Sequence, residues 1–210
     1  TIYETARLAG ELGVEMLVLD DGWFGSRDSD NAGLGDWFVN TDKLKGGLTD
    51  LVTGINGLGM KFGIWIEPEM VNEDSRLYRE HPDWALTIPG RKPCRSRNQL
   101  VLDMSRSEVR DYVFDSIAAV LKSANVEYVK WDMNRSICDV YSAVLPKERQ
   151  GEVYHRYVLG IYDLMERFTS SFPNILFEGC SGGGGRFDPA ILYYSPQIWC
   201  SDDTDGIERL

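Results

Sequence analysis

Val126-Glu127-Tyr128-Val129-Lys130-Trp131-Asp132 decides the fold. Val126 to Trp131 is a short run of β-branched and aromatic residues that stops at a carboxylate, as a strand would. On its N-terminal side Ser105 opens a helix, with Glu108 three residues on in a capping-box pattern. Val109, Val113, Ile117, Val120 and Leu121 give that helix a single apolar stripe. On the C-terminal side, residues 152–170 form a second amphipathic helix through Val153, Val158, Ile161, Met165 and Phe168. Strands that alternate with such helices build a parallel sheet, because each crossover must carry the chain back to the same end.

The alternation continues outward. Residues 3–13 read as a helix ending near Gly13, Met16 to Asp20 as a buried strand, and residues 48–58 as a short helix. Phe62 to Ile66, Leu100 to Met104, Ile175 to Glu178 and Gln197 to Cys200 read as further strands. Nearly all of them end in Asp, Glu or Cys. An open doubly wound sheet and a closed barrel both bind ligands at the C-terminal ends of parallel strands. Chemistry spread over so many strand ends suits a ring better than one crevice. The expected fold is therefore α/β, a (β/α)8 TIM-type barrel, with residues 1–210 as a single catalytic domain. A whole barrel takes about 250 residues. The expectation is that the first strand and the last one or two are missing, so that the domain is truncated at both ends.

Thirty-three acidic against 22 basic residues leave a net charge of −11, which repels phosphate backbones and excludes nucleic acid as a partner. No apolar run is long enough to cross a bilayer, so no membrane partner is expected. Thr1-Ile2-Tyr3-Glu4-Thr5 has neither the basic nor the apolar region of a signal peptide, and the expected location is the cytoplasm. Cys94, Cys138, Cys180 and Cys200 have no CxxC spacing and no neighbouring histidine. They read as free thiols rather than a zinc site. With only His81 and His155 in the chain, a His-based triad has little to draw on.

The chemistry concentrates in a few stretches. In Lys130-Trp131-Asp132-Met133-Asn134-Arg135, Lys130 and Asp132 share a strand face, and a cation there would keep Asp132 ionised and able to act as a nucleophile. In Cys200-Ser201-Asp202-Asp203-Thr204-Asp205, mutual repulsion raises the pKa of at least one carboxyl, which can then donate a proton. Asp132 with either Asp202 or Asp203 makes the carboxyl pair of glycoside hydrolysis. Asp20 and Asp21, ahead of Gly22-Trp23, can accept hydrogen bonds from vicinal sugar hydroxyls, although Asp-Asp-Gly is also ordinary turn composition. Trp65 shares a strand face with Glu67 and is either core or a sugar platform. Gly182 to Gly185 lacks the P-loop pattern and reads as a loop that lets backbone approach a ligand closely. Two rival readings remain: a Mg²⁺-dependent barrel enzyme using Asp20, Glu67, Asp103 and Asp132, and a sugar-binding chain without turnover.

Five stretches together resemble glycoside hydrolase family 36, and within it the bacterial α-galactosidases. They are Leu19-Asp20-Asp21-Gly22-Trp23-Phe24-Gly25, Trp65-Ile66-Glu67-Pro68-Glu69-Met70, Lys130 to Arg135, Cys180-Ser181-Gly182-Gly183-Gly184-Gly185-Arg186, and Ser201 to Asp205. The resemblance implies a retaining mechanism with Asp132 as nucleophile and Asp202 as acid/base. It implies a galactose subsite lined by Asp20, Asp21, Trp65, Arg97, Lys130, Asn134, Cys180 and Gly183, with Arg95 as a rival to Arg97. It implies an α-galactoside oligosaccharide substrate, no metal and no cofactor, and a homo-oligomeric full-length protein.

Overall fold

Short runs rich in Val, Ile, Phe and Trp pair as strands once amphipathic helices can cover them. In the computed structural model, which describes residues 1–203 and 205–208, this gives a five-stranded parallel sheet. Its strands are β1 (Met16–Leu19), β2 (Lys61–Ile66), β5 (Tyr128–Trp131), β6 (Leu176–Gly179) and β7 (Gln197–Ile198), in that spatial order. Between β2 and β5 lie β3 (Met70–Val71) and β4 (Leu100–Val101), which pair only with each other and are antiparallel. The helices are α1 (Ile2–Glu11), α2 (Gly47–Gly57), α3 (Arg76–Glu80), α4 (Ser107–Lys122), α5 (Val153–Ser171) and α6 (Pro189–Tyr194). Each strand of the five-stranded sheet lies beside the one before it, and the order does not reverse.

Three expectations need correction. Leu100 to Met104 is not a strand of the parallel sheet. Its first two residues pair with β3, while Leu102 N–H donates to the Glu69 carbonyl and Asp103 N–H to the Trp84 carbonyl. An apolar run of that length fits a strand but does not say which backbone will pair with it. The Ser105–Glu108 capping box does not form. Ser105 Oγ is engaged by Asp103, Arg106 Nε holds Glu108 at 2.8 Å, and α4 starts two residues later at Ser107 with no side-chain cap. Val158 is 40% exposed, because the helical period turns Tyr157, Ile161, Leu164 and Met165 inward instead.

The α4 stripe of Val109, Val113, Ile117, Val120 and Leu121 is buried as expected. It packs on α5, which comes so close to the chain before α4 that a Cβ on Gly160 would sit 1.9 Å from the Met104 carbonyl oxygen. Phe168 of α5 meets Trp131 edge-on at 5.7 Å and Phe114 at 4.9 Å. Burial of each such side chain contributes about 1.5–3 kcal/mol. The packing fixes β5 against β2 and β6, so that Asp132 N–H reaches the Ile66 carbonyl at 2.8 Å, Cys180 N–H the Trp131 carbonyl at 2.9 Å, and Trp199 N–H the Gly179 carbonyl at 2.8 Å. The residues that follow four neighbouring strands are thereby set side by side on one rim.

Candidate active site

Asp132 follows β5 and is 5% exposed. Five donors converge on its carboxylate. Oδ2 accepts from Trp65 Nε1 at 3.1 Å and Asn134 Nδ2 at 2.7 Å. Oδ1 accepts from the backbone N–H groups of Met133 at 2.8 Å, Ser181 at 3.0 Å and Gly182 at 3.2 Å. Burial pushes the pKa of this carboxyl up, but the hydrogen bonds, led by those of Trp65 and Asn134, outweigh it and hold the group below the ordinary carboxylate range. Lys130 makes no salt bridge with Asp132, although the two charges are near enough to feel each other. Its Nζ pairs with Asp20 Oδ2 at 3.2 Å and lies 4.9 Å from the centre of the Trp199 ring. Burial lowers the lysine's pKa, and the negative groups around it, Asp20 foremost, more than reverse that.

The backbone donors come from the glycine loop. Ser181, Gly182, Gly183 and Gly184 have φ of 63°, 59°, 81° and 93°, a left-handed run that three glycines make easy and one serine adopts at a cost. This turn aims consecutive N–H groups at one oxygen, an anion nest. Its far side meets the next strand end, since a Cβ on Gly183 would lie 3.2 Å from Asp202 N. The segments bearing Asp132 and Asp202 are thus separated by two glycines. Asp202 is exposed, and its Oδ1 accepts from Trp199 Nε1 at 2.8 Å. Asp203 Oδ1 is taken by Asp205 N–H at 3.0 Å within a local turn.

The other expected residues divide. Trp65 is 3% exposed, stacked near Phe24 with centroids 6.2 Å apart, and serves as core and as donor to Asp132 together. Cys180 is buried between Trp131 and the nest, and burial pushes its thiol up to about 12, so it stays protonated. Asp20 and Asp21 are held by different cations. Lys130 takes Asp20, and the buried Arg27 grips Asp21 through Nε at 2.9 Å and Nη2 at 2.8 Å. Arg95 is committed to Glu73. Arg97, in the left-handed region with φ 51°, stands exposed at the tip of a turn, and its charge opposes only in part the rise that burial gives the Glu67 pKa. The four carboxylates of the Mg²⁺ reading are not brought together. Asp103 turns to Ser105 and Ser142, and among the described residues no three His, Cys, Asp or Glu side chains are placed to hold one ion.

Beside the nest opens a cleft of about 420 Å³, lined by Met133, Asn134, Arg135, Ser136, Ser181, Gly182, Gly185 and Arg186. The Melibiase family model matches residues 1–210. The chain belongs to the Melibiase family. Its likeness to the "Bifunctional alpha-galactosidase/sucrose kinase AgaSK" of Mediterraneibacter gnavus is 61% identity over 209 residues, all of this chain and 22% of that protein. It is 58% identical to "Alpha-galactosidase AgaA" of Geobacillus stearothermophilus, whose crystal structure it matches with a TM-score of 0.97 over 99% of this chain and 29% of that one. A structure of an AgaA variant in complex with raffinose gives the same TM-score at 57% identity. The chain spans less than a third of the length of these relatives.

Four residues of this Melibiase chain that support the site were not singled out for that role from the sequence. Glu67 is fully buried, its Oε1 accepting from Asn134 N–H at 2.6 Å and its Oε2 from Gln99 Nε2 at 3.0 Å, and burial pushes it up to about 7. It orients the residue whose amide holds Asp132. Glu69, also fully buried, accepts from Trp131 Nε1 at 2.9 Å and from Arg186 at 2.7 and 3.0 Å, which ties the end of the glycine loop to the end of β2. Arg27 and Trp199 are the other two. The repeated acids of Glu67-Pro68-Glu69 were a signal available in the sequence. Arg27, in a polar loop, gave none.

Proposed function

We propose that this chain carries the catalytic centre of a retaining α-galactosidase, which removes terminal α-linked galactose from oligosaccharides such as raffinose and melibiose. Residues 1–210 would form one catalytic domain within a (β/α)8 barrel. The unreversed strand order supports the barrel, since a doubly wound sheet changes direction at a switch point. In the first step Asp132 attacks the anomeric carbon while Asp202 protonates the glycosidic oxygen, and the aglycone leaves. In the second step Asp202 takes a proton from water, which displaces the galactosyl group from Asp132. Asp20, Asp21, Trp65, Arg97, Lys130, Asn134, Cys180 and Gly183 surround the sugar, and no metal or cofactor takes part.

One observation carries this reading: a nine-tenths buried carboxylate kept ionised by five donors, with no salt bridge to it among the described residues. Ionisation without a salt bridge leaves the nucleophile charged yet free to bond carbon. Asp132→Ala is expected to abolish hydrolysis of an aryl α-galactoside by the full-length protein. Added azide, small enough to enter the space left, is expected to restore turnover and give the β-galactosyl azide. Full activity in Asp132→Ala, or an α-configured azide, would contradict the assignment.

A further inference from the structure

Trp199 occupies a position that neither burial nor sheet pairing requires. Its backbone is anchored, with N–H on the Gly179 carbonyl at 2.8 Å and its own carbonyl oxygen 2.9 Å from where a Cβ on Gly184 would stand. Its side chain is only partly buried. The indole reaches in two directions. One ring face lies under Lys130 Nζ at 4.9 Å, and that ammonium is itself held by Asp20. The indole N–H donates to Asp202 Oδ1 at 2.8 Å. An unbroken chain of contacts, Asp20 to Lys130 to Trp199 to Asp202, therefore runs from the end of β1 to the segment beyond β7.

An exposed carboxyl group rotates about its χ angles and offers two equivalent oxygens to a proton. A donor that cannot accept a proton removes that equivalence, because indole Nε1–H only donates. With Oδ1 accepting from the indole, Oδ2 is the favoured site for the proton. We infer that Trp199 is a positioning residue for the acid/base: it locks the Asp202 carboxyl group so that Oδ2 alone carries the proton to the glycosidic oxygen and later receives the proton of water. Lys130 over the ring, in a cation–π contact, keeps the indole in its rotamer. The inference rests on the assignment of Asp202 as acid/base.

The test compares two substrates in the full-length protein. Methyl α-galactoside needs a protonated leaving group, and α-galactosyl fluoride does not. Trp199→Phe keeps an aromatic face for Lys130 and deletes the N–H. Its kcat/KM on the methyl galactoside is expected to fall about tenfold to a hundredfold, the worth of a hydrogen bond to a charged group, while that on the fluoride changes by less than about threefold. The ratio of the two values is the readout. Any loss of folded protein lowers both alike and cancels, so misfolding cannot mimic the effect. Equal losses on the two substrates, or no loss on either, would overturn the role of Trp199. The same ratio in Asp202→Ala tests the underlying assignment separately: a ratio unchanged there would show that Asp202 is not the acid. In the double variant, Trp199→Phe is expected to add nothing to the ratio already set by Asp202→Ala, and a further multiplicative fall would also overturn the proposal.

Discussion

The two carboxylates of the candidate site are built in opposite ways. Asp132 is buried and takes hydrogen bonds from β2 through Trp65, from its own segment through Met133 and Asn134, and from the glycine loop after β6. Asp202 is exposed, and its carboxylate accepts one hydrogen bond among the described residues, from an indole three positions earlier. The difference follows from what each group must do in the proposed reaction. A nucleophile has to stay ionised and aimed at one carbon, which a rigid surround of donors secures. An acid/base has to exchange a proton with the leaving group and then with water, which requires access.

The largest effect expected from this contrast separates the two aspartates by substrate. Asp132→Ala should cost on the order of 10⁴-fold or more on good and poor leaving groups alike. Asp202→Ala should slow alkyl galactosides far more than activated ones. Equal behaviour of the two variants across leaving groups would erase the distinction.

A smaller effect is expected at the glycine pair that separates them. Gly183→Ala forces a side chain into φ 81° and a Cβ to 3.2 Å from Asp202 N. A left-handed residue other than glycine costs about 1–2 kcal/mol. The expected outcome is a fall of about tenfold in kcat, larger for poor leaving groups because Asp202 is the residue displaced. An unchanged rate would mean that the loop does not link the two sites.

The last effect lies outside catalysis and concerns stability. Burial keeps Glu67 protonated up to about 7 in the folded protein, against an ordinary value of 4.5. Between those values the native state holds more protons than the unfolded chain, so stability falls as pH rises and levels off above about 7. A tenfold difference in proton affinity between the folded and unfolded states is worth about 1.4 kcal/mol. Glu67→Gln, which mimics the protonated form, should lose that decline in urea unfolding followed from pH 5 to pH 8. Parallel profiles for the two proteins would contradict the buried, protonated state of Glu67.

Much of the fold was legible because the strands are short apolar runs that end in acids. Met16 to Asp20, Phe62 to Ile66, Ile175 to Glu178 and Val126 to Trp131 are each recovered to within two residues. Leu100 to Met104 looked the same, and only its partner, β3, distinguishes it. The resemblance named residues from separate strand ends, and the structure brings Trp65, Asn134 and Cys180 to Asp132 and Gly183 against the backbone of Asp202. The reason Asp132 stays ionised was not legible. Strand periodicity put Lys130 beside it, whereas Lys130 finds Asp20, 110 residues away in sequence. Pairs such as Asp21 with Arg27, six residues on around a loop, or Glu69 with Arg186, 117 residues on, depend on loop paths that no local pattern encodes. Trp199, three residues from Asp202, was close enough to have been noticed.

The most direct test is to trap the covalent intermediate. A fluorine-substituted α-galactosyl fluoride, slow to turn over, should label the full-length protein with one galactosyl group. Proteolysis and mass spectrometry should place the label on the peptide containing Asp132. A label on Asp202, Asp203 or Glu67, or inactivation without any covalent adduct, would contradict the account.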